Sequence, residues 1–185
     1  MLFALALMIF CSQSVVAQAP PDRGAEIGVF VGALDLRGSV GEKPFAVGVR
    51  GGYRFARWIA LEGEFLRCPV DPSGYYGQTM VVGGPKFGWR IRRLGLYGKV
   101  RGGVLRIDGP HHRAYNDGRA RTEPALDVGF VLLLPLSDHV ALRVDGGRTV
   151  VFFGNDPMRG PLPPYSKIPG TTVNAQPALG LQFTF

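Results

Sequence analysis

The chain has 185 residues, is 46% hydrophobic, carries 27 glycines and 15 prolines, and has a formal net charge of +7. That length suits one domain, and abundant Gly and Pro in an apolar chain favour many short strands with tight turns over a helical bundle. No zinc-finger spacing, basic helix or RNP-type strand accompanies the positive charge, which argues against nucleic acid as its partner.

The N-terminus reads MLFALALMIFCSQSVVAQAP. An apolar core, Leu2 to Phe10, leads to Ala17-Gln18-Ala19, a triplet that fits signal-peptidase cleavage before Pro20. The run is short of the ~20 residues a membrane-spanning helix needs, and no Lys or Arg precedes it. The expected organisation is a cleaved signal peptide over 1–19 and one domain over 20–185, which keeps the whole net charge. Cys11 lies inside the signal, in a poor lipobox because Phe10 is bulky, so Cys68 is the single cysteine of the mature protein. An exported chain without an internal disulfide needs another source of stability.

Eight runs with period-2 alternation follow: Ala25–Leu34, Pro44–Phe55, Arg57–Cys68, Gln78–Arg90, Arg93–Ile107, Arg121–Leu134, His139–Phe153 and Thr171–Phe185. Each is near the length of a tilted membrane-spanning strand or somewhat longer. The gaps between them alternate. Short ones fall at Ala56, at Ile91-Arg92 and at Pro135–Asp138. Long ones are DLRGSVGEK, PVDPSGYYG, DGPHHRAYNDGRA and GNDPMRGPLPPYSKIPG. Sorting of loops by parity predicts an up-and-down antiparallel barrel with turns at one rim and loops at the other.

Every run has one apolar face and one polar face. In chain order the mid-strand polar residues are Glu26, Arg50, Glu62 and Glu64, Lys86, Lys99 and Arg101, Asp127, Arg143 and Asp145, then Gln176 and Gln182. Phe30 is an exception, falling on the polar face of the first run. Neighbouring runs mostly carry opposite signs, and up-down alternation brings most of these groups to one height, with Glu26 nearer the turns. In a confined lumen such charges can form a closed network, the condition for burying them tolerably. Facing lipid, each would cost ~2–4 kcal/mol at the midplane. A soluble sandwich would place the same charges outside. The aromatics near run ends, Phe55, Trp58, Trp89 and Phe185, fit an interfacial girdle and favour the membrane reading.

The export signal, eight runs, alternating loops and aromatic C-terminus together resemble small bacterial outer-membrane β-barrel proteins, namely the transmembrane domain of outer-membrane protein A and its opacity-protein and adhesin relatives. The resemblance spans nearly the whole mature chain and is architectural. It implies an all-β fold, an eight-stranded antiparallel up-and-down transmembrane β-barrel preceded by a signal peptide, in the outer membrane, as a monomer. It also implies that the barrel-assembly machinery reads Leu179, Leu181, Phe183 and Phe185, and that outer-membrane lipids and lipopolysaccharide surround the wall. The expected function is non-enzymatic, structural or surface-binding through four loops, with a surface ligand left open. No peptidoglycan-binding domain is expected after Phe185.

Catalysis has few candidates. Ser137, Asp138 and His139 are more simply a turn, and no cofactor is expected. His111, His112, Asp108 and Asp117 could ligate a metal, but adjacent histidines in a loop are usually just polar. The segment Arg90 to Arg93, near Arg54 and Arg57, is the densest basic patch and reads as a solvated turn rim. Outward Arg106 and Arg148 would lie where lipopolysaccharide phosphates are expected. The pairs Gly51-Gly52, Gly83-Gly84, Gly102-Gly103 and Gly146-Gly147 have no Walker context, and make room for lumen side chains instead. Two alternatives stay open: a narrow channel, and an exported lipocalin-like ligand binder, which would need an apolar lumen and polar exterior.

Overall fold

A computed structural model describes residues 23–34, 45–69, 77–91, 94–107, 120–152 and 171–185. The expected signal peptide, the tips of all four long loops, the candidate ligands at 108, 111, 112 and 117, and Arg92 and Arg93 lie outside the described residues.

The described chain is entirely strand and turn. The strands are β1 (Gly24–Ala33), β2 (Phe45–Ala56), β3 (Ile59–Cys68), β4 (Gln78–Ile91), β5 (Leu94–Ile107), β6 (Arg121–Pro135), β7 (Val140–Phe152), β8 (Thr171–Ala175) and β9 (Ala178–Thr184). Each strand from β2 to β7 pairs antiparallel with its predecessor, and β9 pairs with both β7 and β1, closing the sheet. The eighth expected strand is thus present as β8 and β9. Its interruption has a local cause, because Pro177 offers no N–H to the ladder. Register continues across it without a slip: Arg148 faces Ala175 and Asp145 faces Ala178, and Gln176 N–H donates to Gly147 O at 3.1 Å. The result is an eight-stranded antiparallel barrel.

The registers fix the shear. One row leaves β1 at Gly24 and passes Arg54, Ala60, Lys86, Lys99, Gly129, Gly147 and Gln176. Because Ala178 faces Gly32, Gln176 lies level with Leu34, so the circuit advances from residue 24 to residue 34. For eight strands, a shear of that size tilts the strands by about 40° and gives a backbone radius of about 8 Å, an interior that side chains can fill.

The tight interior explains where glycine is required. In three of the four Gly-Gly pairs one member points outward into open or ordinary space, and the other points inward against a neighbouring backbone. A Cβ on Gly51 or Gly102 would meet nothing within 4 Å, whereas one on Gly52 would lie 2.6 Å from Leu61 O and one on Gly103 would lie 2.7 Å from Val82 Cα. Gly83 and Gly84 divide in the same way. In the fourth pair the outward member, Gly146, is covered by the ring of Phe130. Gly48 does make room for a side chain: its missing Cβ would stand 2.6 Å from Phe30 Cε1, and Phe30 is buried inside the barrel.

The turn rim is compact. Arg57 and Trp58 join β2 to β3. Between β6 and β7, the N–H groups of Leu136 and Ser137 donate to Val140 O, and Ser137 Oγ accepts from the N–H of Val140 at 3.2 Å.

Candidate functional site in the barrel lumen

Alternation sorts the strand side chains into two populations. Most outward residues are apolar, and many are exposed on the wall, among them Ile27, Val49, Tyr53, Phe65, Val81, Phe87, Val100, Phe130, Leu179 and Leu181, while Arg67, Arg106 and Arg148 are exposed nearer the loop-side strand ends. Trp58, Trp89 and Phe185 are outward at the turn end, with Trp89 at 76% exposure and Phe185 at 67%. Inward residues include all ten charges expected there, every one of them buried.

These charges are in direct contact. Arg50, Glu64, Arg101, Asp127, Lys99 and Asp145 form a closed ring of alternating sign. Its bridges are Arg50–Glu64 at 3.3 Å, Glu64–Arg101 at 2.8 Å, Arg101–Asp127 at 2.6 Å, Asp127–Lys99 at 3.4 Å, Lys99–Asp145 at 3.3 Å and Asp145–Arg50 at 2.5 Å. Glu62 stands at the junction with a second set. It accepts from Arg143 through both carboxylate oxygens, from Arg101 at 2.9 Å and from Lys86 at 3.3 Å. Arg143 holds Asp145 as a fork, donating through Nε at 2.9 Å and Nη2 at 2.8 Å. Lys86 reaches Glu26 at 2.7 Å, and Glu26 also pairs with Arg54. Amides extend the network: Gln182 accepts from Arg143 at 3.1 Å, and Gln176 donates to Glu64 at 3.1 Å while accepting from Thr149 at 2.6 Å. Phe30 supplies a ring 4.1 Å beneath the Arg50 guanidinium, so an aromatic on the polar face is part of the same packing.

Two features differ from the sequence reading. Arg54 does not belong to a solvated patch at the turn rim. It is 2% exposed and paired with Glu26, because its parity on β2 is that of Arg50 and the turn begins only after Ala56. The lumen is also not uniformly polar. On the loop side of the charges, Leu34, Ala46, Leu66, Cys68, Met80, Leu105, Ala125 and Val151 pack with Phe30, Val82 and Ala178 into one apolar cluster. Toward the turns, Tyr97, Val131 and Leu133 form a smaller one. These residues share strand parity with the charges, and Leu66, Met80 and Leu105 follow one another across β3, β4 and β5 in a row that the buried Glu123 continues on β6. Cys68 belongs to that layer and is buried.

Ser137 and His139 are turn residues. Ser137 Oγ faces backbone N–H groups, and His139 Nδ1 lies 3.0 Å from Thr184 O, away from the serine. His139 O also accepts from Thr184 N–H at 2.9 Å, and Phe185 N–H donates to Ala25 O at 3.0 Å, so the last strand is stitched to β1 and to the β6–β7 turn. Leu179, Leu181 and Phe185 point outward from it.

No protein-family model matches the sequence, and no functionally curated protein does either. Among solved structures, the chain is similar to Neisserial surface protein A, with a TM-score of 0.54 and 12% identity, over 91% of this chain and 100% of that one. It is similar to the N-terminal β-barrel domain of Pseudomonas aeruginosa OprF, with a TM-score of 0.52 and 14% identity, again over 91% and 100%. It is also similar to Ail, the attachment invasion locus protein of Yersinia pestis, in complex with the heparin analogue sucrose octasulfate, with a TM-score of 0.51 and 18% identity, over 88% and 97%. The strand order, the closed sheet and these likenesses agree: the chain has the eight-stranded antiparallel barrel fold of small bacterial outer-membrane proteins.

Proposed function

We propose that the protein is a non-enzymatic integral barrel of the bacterial outer membrane, with a sealed lumen and four surface loops, serving a structural or surface-binding role. The observation that carries this reading is the inverted distribution of polarity. Among the described residues six carboxylates and six cations, Glu26, Glu62, Glu64, Glu123, Asp127, Asp145, Arg50, Arg54, Lys86, Lys99, Arg101 and Arg143, are buried inside. The side chains that face outward around them are apolar. In water that exterior would be a large exposed apolar surface; in a bilayer it matches the solvent, and a closed sheet leaves no unpaired edge. A lipocalin-like binder needs the opposite arrangement.

The surrounding lipids are the outer-membrane lipids and lipopolysaccharide, and the barrel acts as a monomer. Protein extracted from purified outer membranes is expected to migrate faster on a gel unboiled than boiled. A soluble periplasmic protein with no such shift would overturn the reading.

The lumen is sealed twice, by the ion-pair network and by the apolar layer above it. Planar-bilayer recordings are expected to show no stable open state, in the native chain or after charge-neutralising substitutions such as Asp127→Asn, because the apolar layer still excludes water and ions. A stable conductance in the native protein would favour the narrow-channel reading.

Leu179, Leu181, Phe183 and Phe185 serve as the assembly signal. Replacing Phe183 and Phe185 by Ser is expected to reduce the membrane-inserted, heat-modifiable fraction several-fold in cells. Refolding of the purified chain into detergent should change far less, because strand pairing depends on the backbone. Equal loss in both assays would assign these residues to stability alone.

A further inference from the structure

Charge is matched unevenly along the lumen. Arg50, Lys99, Arg101 and Arg143 are met by Glu62, Glu64, Asp127 and Asp145. Toward the turns the match fails. Arg54 and Lys86 share Glu26, and the other carboxylate near Lys86, Glu62, is already held by Arg101 and Arg143. Two buried cations thus depend on one carboxylate, in an interior where uncompensated charge is costly. Arg90, half-buried on the same face of β4 as Lys86 and nearer the turn, brings a third positive charge beside them.

Two buried donors at this end are unused. Arg54 and Tyr97 are each 2% exposed. Neither Arg54 Nε nor Tyr97 OH has an aligned hydrogen-bond partner, although Arg90 lies near enough for Arg54, Tyr97 and Glu26 all to act on its charge. The Tyr97 ring is seated on two glycines. Its Cδ1 is 2.7 Å from where a Cβ on Gly88 would stand, and its Cε2 is 2.9 Å from where one on Gly95 would stand. Gly95 is nearer the turn than Tyr97, so the ring runs toward the turn end and carries its hydroxyl to the mouth. Lys86 Nζ lies 5.5 Å from the ring centroid. The small inward residues Ala60, opposite Arg54, and Gly88, opposite Tyr97, leave room between β2 and β5. Buried donors without partners call for an acceptor, and the surplus of positive charge around these two calls for an anionic one.

We propose that the turn-side mouth of the lumen binds one small oxyanion, a carboxylate or phosphate group, between Arg54 Nε and Tyr97 OH. Arg54 donates from the nitrogen that Glu26 leaves unused, Tyr97 donates its hydroxyl, and Lys86 and Arg90 supply a positive field. Charge-assisted bonds of this kind are the stronger ones. A water molecule would satisfy the donors but leave the surplus charge in place. The ion-pair network closes the lumen beyond the site, so the anion enters and leaves from the turn side, the side that the outer-membrane reading puts in the periplasm.

The test is isothermal titration calorimetry of the detergent-solubilised barrel, in a buffer without other oxyanions, with sodium phosphate and separately with sodium acetate. Heat-modifiability is checked for every variant. The native protein is expected to bind one equivalent of at least one of these anions, with a saturable isotherm. Y97F keeps the ring against Lys86 and removes only the hydroxyl, and should weaken binding several-fold. R54K keeps a cation for Glu26 and removes the Nε donor, and should weaken it at least tenfold, because Lys cannot reproduce the guanidinium fork. R57Q, at an exposed arginine of the β2–β3 turn, should leave binding unchanged. A native barrel that binds neither anion would overturn the site and leave water as its occupant. Full binding by both Y97F and R54K, or equal loss in R57Q, would overturn it in favour of general basicity at the turn rim. Phosphatidylglycerol added to the micelles decides the source: competition with phosphate assigns a lipid headgroup, lack of competition a free solute, and the site stands in either case. Loss of the gel shift in the native protein would mean that the membrane reading itself had failed, whatever the titration shows.

Discussion

Replacing Glu62 by Ala is expected to lower the stability of the barrel by about 3–5 kcal/mol, the usual cost of removing one partner from a buried ion pair. Glu62 is 3% exposed and contacts Lys86, Arg101 and Arg143. Its loss leaves three buried cations sharing the remaining carboxylates, in an interior where an uncompensated charge is expensive. The network does not have to be strongly stabilising for this to hold, because the penalty comes from the groups left behind. Urea unfolding in lipid vesicles, followed through the fluorescence of the outward Trp58 and Trp89, measures the change. The double substitution E62M/R143M should cost less than the sum of its singles, since the carboxylate and the guanidinium leave together. Arg67→Gln, at an exposed site on the wall, should change stability by less than about 1 kcal/mol. A loss below about 1 kcal/mol for Glu62→Ala would mean that the remaining groups rearrange freely, and the lumen would then be a loose polar interior instead of a specified network.

The dipeptide Gly102-Gly103 offers the second large effect, with opposite outcomes at adjacent positions. Gly102 faces outward, where a side chain meets nothing within 4 Å. Gly103 faces inward, where a Cβ would lie 2.7 Å from Val82 Cα and nearer still to the Val81 carbonyl. Backbone cannot rotate away as a side chain can, so β4 and β5 would have to separate. Gly103→Val is expected to cost at least about 3 kcal/mol, the upper end of the overpacking range, and to abolish the heat-modifiable band. Gly102→Val should leave the band intact and change stability by less than about 1 kcal/mol, since a β-branched side chain suits a strand. The same contrast is expected between Gly52→Val and Gly51→Val. Equal tolerance at both members of a pair would contradict the shear and radius that the registers give.

These two experiments probe different layers of one arrangement. The glycines let a wall of this radius close, and the charges fill the volume that closure creates. The large pieces of both were legible in the sequence. Period-2 alternation, loop parity and the sign pattern from Glu26 to Asp145 were enough to expect eight antiparallel strands and to name the ten charges that are buried together. The reason is physical: in a strand every second residue shares a face, so face assignment needs no tertiary knowledge once the strand is recognised.

The rest depended on where each residue lies along the barrel axis and on which neighbour it meets across the sheet. Parity put Arg54 on the polar face, but only the β1–β2 register, which sets it opposite Gly24, brought it beside Glu26 rather than into the turn rim. Parity also put Leu66, Met80, Leu105 and Val151 on the lumen face, yet their union into an apolar layer required four strands to bring their loop-side ends to one level. Arg67 and Arg106 lie 39 positions apart in the chain and become neighbours of Thr79 only through the β3–β4 and β4–β5 registers. The break at Pro177 was foreseeable from its missing N–H, whereas the unslipped register across it was not. The sequence by itself determined the strands and which residues share a face, because these follow from local periodicity. Only the tertiary structure decided that the charged face is the inner one, and with it the shear, the partners within the charge ring, the apolar layer and the arginine pair on the wall, because each depends on how strands distant in sequence close on one another.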